Sequence, residues 1–184
     1  TVTDDNNRLP LLAPMSEVAG RISIQAGARS LEMTNNGRGV LLSGATGAPP
    51  ADVVIIGCGV VGFNAALIAH GMKANVILID KSQERLDELS KYFDGNVTTV
   101  ISTPESITDQ VTNCDLLIGG VLVPGATAPK LVSEVLVSKM RKGAALSPSG
   151  SGGERRTRAA LPQDRRHSPK TPIESRIVDF NWGT

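Results

Sequence analysis

The sequence predicts an α/β fold: a doubly wound parallel sheet, incomplete, preceded by a linking helix and followed by an irregular tail. Three observations carry this. Between residues 44 and 146, five short apolar runs of strand length alternate with stretches of helical character, and strands that alternate with helices demand a parallel sheet with right-handed crossovers and both faces covered. The first of these runs, Val53-Val54-Ile55-Ile56, is continuously apolar, as in a strand buried on both faces. A Gly-Cys-Gly-Val-Val-Gly sequence follows at once and opens the next helical stretch.

In chain order, residues 1–43 read as a linking segment. Met15, Val18, Ala19, Ile22 and Ala26 recur at spacings of three to four, which predicts a helix over 15–31. Ser16 and Glu17, just after Pro14, suit its N-terminus, where a hydroxyl and an acid satisfy free N–H groups. Asn35-Asn36-Gly37 predicts a break, and the Gly/Pro-rich stretch 44–50 a loop leading into the sheet. The pattern then predicts strand 53–56, helix 60–70, strand 76–80, helix 82–92, strand 97–102 and helix 104–111. Strand 115–118, helix 129–140 and the beginning of a strand at 144–146 complete a domain over 44–146. Residues 147–184 open with Ser-Pro-Ser-Gly-Ser-Gly-Gly and carry seven basic residues against four acids. So few apolar positions cannot offset the entropy of ordering, so a disordered tail is expected.

Composition narrows the class. A chain of 184 residues with 40% hydrophobic content can bury a core. A formal charge of +1 points to neither nucleic acid nor an anionic membrane surface, and the Arg pairs of the tail lack the interleaved aromatics of a nucleic-acid binder. Two cysteines, Cys58 and Cys114, make neither a disulfide framework nor a zinc site and fit a reducing cytoplasm. No apolar run approaches the roughly 20 residues that cross a bilayer. The start, Thr-Val-Thr-Asp-Asp, has no initiating Met and no signal pattern, and reads as an internal cut.

The chemistry concentrates at Gly57-Cys58-Gly59-Val60-Val61-Gly62. Gly57 allows the tight turn, Gly59 lets backbone approach a pyrophosphate, and Gly62 lets the helix pack on the strand: a Rossmann-type fingerprint. The phosphates would sit at the mouth of the helix beginning at Val60 and Val61, where N–H groups are unpaired and the dipole favours negative charge. Asp80 ends the second strand 18 residues past Gly62, where a carboxylate accepts from both ribose hydroxyls and repels a 2′-phosphate, favouring NAD over NADP. Lys81 and Arg85 weaken that exclusion. The alternative for Asp80 is a loop carboxylate capping the helix that begins at Ser82. Cys58 reads as a small filler of the loop, Cys114 as a packed small hydrophobe. His70 and His167 lack the partners of a general base or metal ligand, so no catalytic and no metal-binding residue is assigned.

With these residues in view, the chain resembles the alanine dehydrogenase family, which also contains the nicotinamide nucleotide transhydrogenase alpha subunit. The resemblance rests on Leu-Pro-Leu-Leu-Ala-Pro-Met-Ser-Glu-Val-Ala-Gly-Arg at 9–21, Gly-Arg-Gly-Val-Leu-Leu at 37–42 and the glycine loop. It continues through Val-Thr-Thr at 97–99, Gly-Val-Leu-Val-Pro-Gly-Ala at 120–126 and Ala-Pro-Lys-Leu-Val at 128–132. It covers about 8–146, and its motifs look more like alanine dehydrogenases than transhydrogenases. The resemblance implies a homo-oligomer, commonly hexameric, that interconverts L-alanine, NAD and water with pyruvate, ammonia and NADH. It implies that Ser16 contacts the cofactor, that Asp80 and Arg85 contact the adenosine, and that Ser102, Val121 and Leu122 belong to the adenine and nicotinamide pocket wall.

Two departures from the family pattern bear on activity. The family's N-terminal substrate half, which carries an Arg, a Lys and an acid/base His, has no counterpart in this sequence. The family's Val-Asp-Val-Ala-Ile-Asp-Gln-Gly-Gly-like motif is replaced after Leu146, with Gly152 about where its catalytic Asp would stand. Hydride transfer needs the keto acid positioned over the nicotinamide, an effect worth about 7–11 kcal/mol in good cases. The expectation is therefore a chain reduced to NAD(H) binding, with a bare outer sheet edge. The alternative is an inactive remnant that associates with full-length subunits.

Overall fold

A computed structural model describes residues 13–121 and 131–148, with the backbone at 158–159. The first helix, α1 (Ala13–Ser30), buries Gly20, Ser23, Ile24 and Gly27, a single stripe at helical spacing. It begins before Ser16, which corrects the expected capping role of that residue. Pro14 is accommodated in the first turn because its missing N–H would have had no intrahelical acceptor there. A short 3-10 turn (Met33–Asn35) follows and ends at Asn36 in the left-handed conformation, φ 61°, where the Asn-Asn-Gly break was expected.

The sheet then builds as the alternation predicts: β1 (Asp52–Ile56), α2 (Val60–Gly71), β2 (Asn75–Asp80), α3 (Gln83–Tyr92), β3 (Thr98–Ile101), α4 (Pro104–Asn113), β4 (Leu116–Gly119), α5 (Glu134–Ser138) and β5 (Ala145–Pro148). Five strands run parallel in the order β3-β2-β1-β4-β5. This doubly wound order reverses between β1 and β4, which opens a crevice at their carboxyl ends. The outer edge of β5, expected to be bare, carries a two-residue antiparallel strand, β6 (Arg158–Ala159). Other residues after 148, to which the expectation of a disordered tail applied, lie outside the described residues.

Alternate residues of each strand feed opposite faces. Val53, Ile55, Leu78, Leu116 and Ile118 pack with Ile24 of α1, Ala65 of α2 and Leu86 and Leu89 of α3. Val54, Ile56, Ile77, Ile79 and Leu117 pack with Ile107 and Val111 of α4, Leu136 of α5 and Met140 just after it. Burying each such side chain contributes about 1.5–3 kcal/mol. Hydroxyls set the helix starts: Ser82 accepts from the Arg85 N–H at 3.2 Å, and Thr103 and Ser106 form a reciprocal capping box before Pro104. Helix α5 is shorter than the expected 129–140. Ser133 is extended (ψ 160°) and its hydroxyl accepts from the Leu136 N–H, so the helix starts only after it.

Candidate functional site

The loop between β1 and α2 lies at the crevice where strand order reverses, and its three glycines do different work. Gly57 has φ 89°, and a Cβ there would meet Val121 N at 2.8 Å and Gly120 C at 2.9 Å. A Cβ on Gly62 would run into the Gly57 carbonyl oxygen, so the helix can lie against the strand only without one. Gly59 differs: nothing stands within 4 Å of where its Cβ would be. It is the N-cap of α2 and offers no side chain to the first helical N–H groups, and those groups have no intrahelical acceptor. Open space faces unpaired donors at the positive end of a helix dipole, which fits a phosphate group.

Asp80 closes the next side. Its Oδ2 accepts from the Cys58 N–H at 2.7 Å and its Oδ1 from the Ser82 N–H at 3.0 Å. A carboxylate offers about four lone-pair sites, so two remain for hydroxyl donors. The loop-capping alternative and the ribose role are thus compatible in one side chain. Arg85, on the first turn of α3, donates from Nε to the Cys58 carbonyl at 3.0 Å and from Nη1 to Glu88 at 2.8 Å. Its guanidinium lies 5.7 Å from the centre of the Phe63 ring.

The other expected residues fall around the same edge. Ser102 follows β3 and donates its N–H to the Asp80 carbonyl at 2.9 Å. Val121 abuts Gly57 at the end of β4. Ser16 lies one helical turn, roughly 6 Å, before Gly20, where a Cβ would run into the Val61 carbonyl oxygen. Gly27, farther along α1, meets Leu116 at the opposite end of the sheet, so the Ser16 end of α1 stands on the glycine-loop side. Leu122 lies outside the described residues.

Neither thiol has the setting of a nucleophile. Burial, then the negative field of Asp80, pushes the Cys58 thiol up to about 12, against a smaller opposing effect of Arg85. Burial, then Asp115, pushes Cys114 up to about 12. His70 packs edge-on against Phe93, ring centres 5.2 Å apart. Among the described residues no group of three or more His, Cys, Asp or Glu could hold a metal ion, and no helix is long and apolar enough to cross a membrane.

The sequence reading missed a polar cluster at the other end of the strands. Asp115, 4% exposed, accepts from the Asp52 N–H at 2.9 Å. It pairs with Arg38 at 3.2 Å and Arg141 at 3.3 Å, while Arg141 also reaches Asp52 at 3.1 Å. Burial works against the Arg141 charge, but its hydrogen bonds to Asp115 and Asp52 and their fields prevail and raise its pKa.

Comparison with known proteins agrees with the resemblance read from the motifs. The profile of the alanine dehydrogenase/PNT C-terminal domain matches residues 23–147. The chain is similar to the alanine dehydrogenases of Halomonas elongata and Mycobacterium tuberculosis, at 50% and 51% identity over 146 residues, which is 79% of this chain and 39% of each relative. It thus spans about two fifths of the length of these relatives. A solved L-alanine dehydrogenase superposes with a TM-score of 0.78 at 49% identity, over 80% of this chain and 41% of that one. A transhydrogenase from Sinorhizobium meliloti shares the fold, with a TM-score of 0.62 at 20% identity over 73% of this chain and 38% of that one.

Proposed function

The chain belongs to the alanine dehydrogenase/PNT C-terminal domain family, and from that premise we propose that it is an NAD(H)-binding polypeptide of alanine dehydrogenase lineage. The observation that carries this is the open, donor-lined space at Gly59, bordered by the half-buried carboxylate of Asp80. The N–H groups of Gly59, Val60 and Val61 hold the pyrophosphate, and Gly57 and Gly62 keep the loop tight enough to present them. Asp80 takes the ribose hydroxyls on its free lone pairs and turns away a 2′-phosphate. Ser102 borders the adenosine, and Val121, with Ser16 from α1, walls the remainder. Bound there, the nicotinamide supplies a hydride acceptor or donor.

Binding is the whole of the activity proposed for this 184-residue chain. In the family, L-alanine, NAD and water give pyruvate, ammonia and NADH. Among the described residues, the buried thiols and the Phe93-packed His70 offer no proton donor at the loop. Titration calorimetry with NADH tests the site: Asp80→Ala is expected to weaken binding at least about tenfold, the loss of charge-assisted hydrogen bonds, and equal affinities would reject the ribose assignment. NAD reduction by L-alanine at an ordinary rate by the purified chain would reject the inactive reading.

A second reading is favoured by one face of α1. Met15, Val18 and Ile22 are 64%, 55% and 38% exposed, and their spacing of three and four puts them in one stripe, which suits association with full-length alanine dehydrogenase subunits in the cytoplasm. Mass measurement of mixed oligomers with intact enzyme is expected to show the added 184-residue chain, and its absence would leave the binding reading alone.

A further inference from the structure

Arg85 is committed to the protein on three sides. Nε donates to the Cys58 carbonyl, Nη1 donates to Glu88, and the guanidinium carbon lies over the Phe63 ring. The Phe63 ring is itself braced edge-on by Tyr92, with centres 5.1 Å apart. On the other flank of Cys58 the N–H is taken by Asp80. The two successive peptide groups around Cys58 are therefore each anchored by one side chain, the 57–58 group by Asp80 and the 58–59 group by Arg85.

A planar trans peptide points its C=O and N–H in opposite directions, and no peptide in the described chain is cis. With the Cys58 carbonyl drawn to Arg85, the N–H of the same peptide group, which is that of Gly59, faces the other way. Gly59 has no side chain to restrict its own rotation and nothing within 4 Å of its Cβ position to brace it. The Gly59 carbonyl is held by the Phe63 N–H, so without Arg85 the 58–59 peptide, between that bond and the Asp80 contact, would lose its own anchor and gain freedom to turn.

We propose that Arg85 is a positioning residue for the phosphate-binding loop: it holds the 58–59 peptide so that the Gly59 N–H is presented to the pyrophosphate. This rests on the NAD(H)-binding reading above and assigns Arg85 to loop geometry rather than to contact with the adenosine. Glu88 and Phe63 serve it in turn by fixing the guanidinium. Lysine could not substitute, because it has neither the planar fork nor the stacking face.

The test compares ADP-ribose with adenosine on the full 184-residue chain and on Arg85→Met and Arg85→Lys, by calorimetry and amide NMR titration. Adenosine engages Asp80 but has no phosphate. The expected result is ADP-ribose binding weakened about tenfold in both variants, adenosine binding unchanged, and a moved Gly59 amide resonance in the ligand-free variants. Equal losses for both ligands would show direct contact with the adenosine and overturn the proposal, as would unchanged ADP-ribose binding or full retention in Arg85→Lys. Should Arg85→Met not fold, Arg85→Lys decides alone. A parent chain that binds neither NADH nor ADP-ribose overturns the site reading itself, a result separate from any behaviour of the variants.

Discussion

Two carboxylates stand at opposite ends of the same sheet, and they are used in opposite ways. Asp115, where β4 begins, is almost wholly buried and meets two guanidinium groups and a backbone N–H. Asp80, where β2 ends, is half-buried and accepts from two backbone N–H groups. The strand starts are closed by saturated charges that tie the 37–39 segment and the 141–143 turn to the sheet. The strand ends hold donors and acceptors with valences left over. On the NAD(H)-binding reading, the groups that close the fold and those that would meet a ligand lie at opposite ends of the strands.

Breaking the closed end should give the largest effect on stability. Asp115→Ala leaves Arg38 and Arg141 without their shared partner and the Asp52 N–H without its acceptor, and should destabilise the fold by about 3 kcal/mol. NADH affinity of the folded fraction should be unchanged. Denaturant unfolding followed alongside calorimetry checks both halves, and a parallel fall in affinity would mean that the two ends are coupled.

A pair of glycine substitutions sharpens the contrast inside the open end. Gly62→Ala places a methyl against the Gly57 carbonyl and should cost about 1–3 kcal/mol by overpacking. Gly59→Ala enters open space but puts alanine at an N-cap, where it is poorer than glycine, and should cost no more than about 1 kcal/mol, while its methyl obstructs the phosphate and weakens NADH. A Gly59→Ala protein that binds NADH like the parent would move the pyrophosphate elsewhere.

The smallest effect is one of pH. Each thiol has its folded pKa raised from 9.0 to about 12, so the folded state keeps a proton that the unfolded chain releases. The stability this supplies is present below pH 9 and declines as pH rises toward 12. Cys58→Ala should lessen that alkaline decline in urea-melting experiments, and both thiols should resist alkylation at pH 8 until the chain is unfolded.

Much of this was legible in the sequence because it is local. A strand, a Gly-x-Gly-x-x-Gly and a helix are contiguous, and Asp80 is found by counting from Gly62. The Asp115 cluster was not, because Arg38, Asp52, Asp115 and Arg141 are far apart in the chain and only the topology assembles them. The hold of Arg85 on Cys58 was hidden for the same reason: residue type and position pointed to the cofactor, but which atoms it grips depends on how α3 lies beside the loop. At Ser133 a hydroxyl outweighed apolar spacing, and at Pro14 the first turn accepted a residue that read as its boundary.

The crossing of α1 over α2 carries a mechanical consequence. At Gly20 the two helices meet main chain to main chain, with no layer of pliable side chains between them. Such a joint transmits torque stiffly, so a tilt of α1 by whatever adjoins its free face would be geared directly into the first turn of α2.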